Sequence, residues 1–130
     1  MRASRERGAS AAFRLSGYDR ACIVPISPHV GSCLDPLSRA LALKTRSLIE
    51  ATVFQKRRPP DAKDVGKPLL GWSLVKTRTR SITLYFALGY GQAVLVPVHV
   101  TIGGNAAASD REALRHFVRL TEERGSAVPV

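Results

Sequence analysis

The spacing of apolar residues changes character twice along this chain. From Leu37 onward, Leu37, Leu41, Leu48 and Ala51 fall near one helical face, with Arg39, Lys44, Arg46 and Glu50 interspersed. That spacing predicts an amphipathic helix. Asp35 is placed to cap it and Pro36 fits the first helical position. The pattern runs to about Phe54, where Lys56, Arg57 and Arg58 put positive charge at the helix C-terminus and Pro59-Pro60 stops it. Upstream, Ala21 to Ile26 reads as a short edge strand limited by Pro25, and Ser27 to Cys33 reads as loop. Asp61 to Pro68 is a polar connection.

From Leu69 the period becomes that of a strand. Trp72 to Leu88 is longer than one ordinary strand, so a break is expected near Thr79–Ser81. Gly89-Tyr90-Gly91-Gln92 suits a hairpin connection. Beyond it, Val94, Val96, Val98, Val100 and Ile102 alternate with Leu95, Pro97, His99 and Thr101, which predicts two opposite strand faces. Gly103-Gly104-Asn105 ends that strand. Ser109 to Glu112 matches a capping box, Leu114, Phe117, Val118 and Thr121 give the inner face of a closing helix, and Gly125 gives its stop. The expected class is α+β: a small antiparallel sheet of three to four strands, with a helix before it and a C-terminal helix packed on it. Residues 1–20 read as a basic flexible arm, 21–125 as a single domain and 126–130 as a tail.

Charge sharpens this picture. The 130 residues carry 20 Lys+Arg against 10 Asp+Glu, a formal net charge of +10. Such an excess favours a polyanionic partner: nucleic acid such as RNA, the ribosome or an acidic membrane. The ordinary alternative is a solvated basic surface. Yet no Asp, Glu, Lys or Arg occurs from Ser81 to Ser109. That stretch is long enough to cross a bilayer. Its central glycines, Pro97, His99 and alternation argue for a β-hairpin instead, so no membrane span is expected. Met1 to Gly17 lacks an apolar core for a secretory signal, and a cytoplasmic location is expected. Its Arg2, Arg5, Arg7 and Arg14 would also suit organellar import.

Candidate chemistry gathers at the border of the uncharged stretch. Lys76, Arg78 and Arg80 share parity and would project from one strand face. Cross-strand neighbours could bring His99 near them. Arginine and lysine stabilise phosphate charge, and histidine moves protons near neutral pH, an inventory for metal-free RNA cleavage by 2′-OH attack. Arg78, Arg80 and His99 are therefore the candidate catalytic residues. Candidate phosphate or RNA contacts are Lys76, Tyr85, Arg57, Arg58, Arg115 and Arg119, the last two in an i, i+4 stripe with Arg111. Each has a plain counterpart: a solvated cation, a core aromatic, a hydrogen-bonded sheet histidine. Trp72 is expected in the core. Cys22, Cys33, His29, His99 and His116 are scattered without zinc spacing, so no metal is expected, and the cysteines read as free thiols. Nucleotide-loop and metalloprotease signatures are absent, and no cofactor is expected.

Gly66-Lys67-Pro68-Leu69-Leu70-Gly71-Trp72-Ser73-Leu74-Val75-Lys76-Thr77-Arg78, then Leu84-Tyr85-Phe86, the glycine turn, Val94 to His99, and the helix from Asp110 to Arg124 resemble the RelE/ParE/HigB toxin superfamily, its HigB-like branch in particular. The resemblance covers about residues 37–124. It implies a small toxin of a type II toxin–antitoxin system, a ribosome-dependent mRNA endonuclease, neutralised by an acidic antitoxin. By position Arg78 would be the arginine closing the family's Leu-x-x-Leu-Arg pattern, Tyr85 its aromatic and His99 its late polar residue. The chain departs from that pattern at Ile82, where the family has arginine, and at Thr101 to Gly104, where HigB-like proteins carry lysines.

Overall fold

The computed structural model describes residues 24–89 and 94–127. The arm at 1–20, most of the expected first strand, Cys22 and hairpin residues 90–93 lie outside them. The element order is α1 (Pro28–Leu34), α2 (Arg39–Phe54), β1 (Lys63–Asp64), β2 (Ser73–Thr79), β3 (Ile82–Leu88), β4 (Leu95–Ile102) and α3 (Ala106–Arg124). The four strands form one antiparallel sheet in sequence order. The fold is α+β, with helices before the sheet and the C-terminal helix packed on it.

The start of the fold corrects the sequence expectation. Ser27 to Cys33 is not loop: Ser27 caps α1, its Oγ accepting from the Val30 amide at 3.2 Å, and Pro28 occupies the first turn. Proline and serine, read as loop residues, are also helix-start residues. Burial of Val30 and Leu34 outweighs the propensity cost of Gly31. Asp35 consequently closes α1 instead of opening α2, and its amide donates to the Gly31 carbonyl. Ser38 caps α2, accepting from Leu41 N. The buried positions of α2 are Thr45 and Ile49, with Leu41, Leu48 and Val53 partly covered. Ala51 is exposed. Val24 to Ser27 forms no strand, and a two-residue strand, β1, falls inside the polar connection.

Two cores sandwich the sheet. On one face Val75, Ile82, Leu84, Phe86, Leu88, Leu95 and Val100 pack with Val30 and Ile49. On the other, Trp72, Leu74, Tyr85, Ala87 and Val98 pack with Ala113 and Phe117 of α3. The strand break falls where expected: Thr79 pairs with Ile82, leaving Arg80 and Ser81 as the turn, and Arg80 takes φ +57° in the absence of glycine. Trp72 is buried, its indole N–H donating to the Gly125 carbonyl at 2.9 Å. α3 ends at Gly125 (φ +79°) as expected but begins earlier, capped by Asn105 through its bond from Ala108 N. Ser109 therefore lies within the helix, and Val118 is exposed.

β4 does not keep its valines on one face. Tyr85 pairs with His99 but Phe86 pairs with Pro97, so Val98 is an extra residue, a β-bulge. Leu95 and Val100 then join the first core while Val98 joins the second. β4 is an edge strand, where Pro97 is tolerated. Among the described residues no helix is long and apolar enough to cross a membrane.

Candidate functional site

Antiparallel register sets a row across the sheet: Lys63, Lys76, Tyr85 and His99 stand opposite one another on successive strands. Arg78, Thr83 and Thr101 form the next row. These side chains face α3. Where the helix begins they leave a groove of about 340 Å³, lined by Asp61, Lys63, Lys76, Arg78, Thr83, Tyr85, Thr101, Gly103, Gly104, Ala106 and Ser109. Three cations, several hydroxyls and the positive end of a 19-residue helix meet there.

One carboxylate organises the floor. Asp110 accepts from Lys76 Nζ at 3.0 and 3.1 Å and from the Tyr85 hydroxyl at 2.6 Å. Tyr85 is 1% exposed, so its ring offers no face on which a base could stack. Burial, then the hydrogen bond to Asp110 and that residue's charge, push its phenol well above the usual range. Arg78 is exposed, with Nε donating to the Arg80 carbonyl at 2.9 Å. Arg80 is exposed in the turn and does not line the groove.

The remaining candidate cations are dispersed. Arg57 is exposed after α2. Arg58 binds Asp64 Oδ1 at 2.9 Å and the Ala62 carbonyl at 3.0 Å. Arg115 pairs with Glu112, while Arg111 and Arg119 are exposed on α3. None of these five positions lines the groove.

His99 also lies apart from the groove lining. Across Tyr85 it is two strands from Lys76, roughly 10 Å at normal strand spacing. It is 6% exposed and belongs to a second cluster. His29 Nε2 lies 2.8 Å from His99 Nδ1. Cys33 Sγ lies 3.6 Å from His29 Nε2 and 3.7 Å from His99 Nδ1. His116 stacks flat on His29, with ring centroids 3.4 Å apart, and its Nε2 meets Glu112 at 3.3 Å. Burial, then the charges of His29 and His116, lower the His99 pKa to about 4. Burial also lowers His29 and raises the Cys33 thiol. His29, Cys33 and His99 offer donor atoms within 4.8 Å of one another, so among the described residues these three are able to share a metal.

This gathering overturns the expectation of scattered histidines. The signal was the spacing of His29 and Cys33, four apart and on one face only if the segment is helical. Read as loop, it carries no such information. His99 needed the bulge, which has no sequence mark of its own. Lys63 and Asp110 were missed because nothing local marks a strand of two residues or a cross-sheet ion pair. Comparison with known proteins finds no matching family model, no matching curated protein and no matching solved structure.

Proposed function

We propose that this chain is a non-catalytic binding protein for a phosphodiester polyanion, with single-stranded or ribosomal RNA as the ligand and the groove at the start of α3 as its contact. The observation that carries this reading is the convergence of Lys63, Lys76 and Arg78 with the N-terminal end of α3 in one groove. Phosphate oxygens accept from cationic side chains, hydroxyls and helix N-termini alike. Asp110 holds Lys76 in place and offsets part of its charge, leaving Lys63 and Arg78 as the freer contacts. The net charge of +10 adds long-range attraction. A cytoplasmic setting goes with this reading.

The test is fluorescence anisotropy with a labelled single-stranded RNA across a salt series. Wild type should bind with a steep salt dependence. Arg78→Ala and Lys63→Ala should each weaken binding and lower the log–log salt slope by about 0.7 per lost phosphate contact. A wild-type chain that ignores RNA, or a double variant that binds as well as wild type, defeats the reading.

The position of Arg78 in the groove, beside the hydroxyls of Thr83 and Thr101, favours a second reading. In it the chain is a toxin that cuts mRNA on the ribosome and is held inactive by an acidic antitoxin. Arg78 would stabilise the phosphate charge, while Arg80 and His99, which lie outside the groove, would not reach it. Induced expression should then arrest growth and cleave translating mRNA, with Arg78→Ala relieving both. Normal growth and intact mRNA under wild-type expression would exclude it.

A further inference from the structure

We propose that His29 Nε2, Cys33 Sγ and His99 Nδ1 form a zinc(II) site that clasps α1 to β4. The donors come from two elements 66 and 70 residues apart in sequence. His29 and Cys33 project from the same face of α1, one turn apart. His99 reaches them because of the bulge at Val98. An unbroken register would place His99 opposite Leu84, on the other face of the sheet; the extra residue puts it opposite Tyr85 instead.

The distances fit the metal. With zinc–nitrogen bonds near 2.0–2.1 Å and zinc–sulfur near 2.3 Å, a tetrahedron has nitrogen–sulfur edges of about 3.6 Å. The two nitrogen–sulfur separations are 3.6 and 3.7 Å. The nitrogen–nitrogen separation of 2.8 Å must open by about 0.5 Å to reach a tetrahedral edge, a small ring rotation. Hydrogen bonding alone serves this cluster poorly. One proton can lie between the two imidazole nitrogens, and one S–H can point at only one of them. A cation satisfies all three lone pairs together. Imidazole and thiolate are a borderline-soft set, which suits zinc rather than calcium or magnesium. His116, stacked on His29 and bonded to Glu112, fixes the ring plane of one ligand.

The site is independent of the groove, and its test contains no RNA. The full chain, reduced and stripped with a chelator, is titrated with zinc(II) by calorimetry and with cobalt(II) by electronic absorption. Wild type should bind one zinc per chain, unfold at higher temperature with zinc, and give a tetrahedral cobalt spectrum with a thiolate-to-metal charge-transfer band. Cys33→Ser should abolish that band, whereas Cys22→Ser should retain it. His29→Gln and His99→Gln should each weaken zinc by more than the roughly 10–100-fold typical of losing an outer-shell partner. Circular dichroism of each metal-free variant checks the fold. Should His99→Gln not fold, the half-buried His29→Gln carries the same test. A wild type that takes up no zinc, a charge-transfer band that survives in Cys33→Ser, or unchanged affinity in His29→Gln overturns the assignment.

Discussion

Arg80 occupies a backbone region that glycine visits freely and arginine does not, at φ +57° in the turn between β2 and β3. Left-handed backbone costs an ordinary residue roughly 1–2 kcal/mol, part of which glycine gives back as unfolded-chain entropy. Arg80→Gly should therefore raise stability by about 0.5–1 kcal/mol, read from urea denaturation. A loss of stability would mean that the arginine side chain holds the turn more strongly than its backbone strains it. The turn itself was legible, because a run from Trp72 to Leu88 cannot be one strand. Its conformation was not, since no Gly or Asn announces it. The same holds at Lys76 and Tyr85. Lys76 and Tyr85 could be picked out as candidates from sequence, but their common partner Asp110 lies 34 and 25 residues away, a distance that only packing closes.

Helix boundaries show how local signals compete. Asp35-Pro36 and Ser38 both resemble helix starts, and the structure uses Ser38. Asp35 instead sits at the C-terminus of α1, where a negative charge meets the unfavourable end of the helix dipole. Ser38→Ala should cost about 1 kcal/mol, because the Leu41 amide loses its cap. Asp35→Ala should cost nothing or stabilise slightly. Thermal unfolding of the two variants reads the difference, and the reverse ranking would show that α2 begins where the sequence pattern alone puts it. The strands were easier to read than the helices. β2 and β3 carry buried apolar residues that mark them; β1, two exposed residues, has no such mark, and in β4 the bulge gives both faces valines and makes a mixed pattern look regular.

At the scale of the whole molecule, two polar sites that the sequence placed together lie on one face of the sheet but apart, with Tyr85 between Lys76 and His99. The cations remain in the groove at the start of α3, while His99 turns toward α1. Burial of His99 has a consequence for acid stability. Its folded pKa is about 4 against 6.5 in an unfolded chain, so between those values the unfolded state binds the proton first. Stability of the metal-free protein is thus unaffected by this group above pH 6.5. It falls as pH drops toward 4, by up to about 3 kcal/mol. Urea midpoints measured in chelator between pH 7 and 4.5 should decline, and His99→Gln should flatten the decline. A midpoint constant over that range in the wild type would contradict the burial of His99 seen here.

The α+β class, the strand break, the closing helix and the basic character of one strand face follow from periodicity and charge, which act through near neighbours and survive without a tertiary context. The α1 helix, the bulge at Val98, the Asp110 ion pair and the meeting of His29, Cys33 and His99 depend on what packs against what. No local pattern encodes them, because each draws its free energy from contacts between residues far apart in the chain. The cationic row was in the sequence; that His99 shares its face of the sheet was decided by one extra residue in an edge strand.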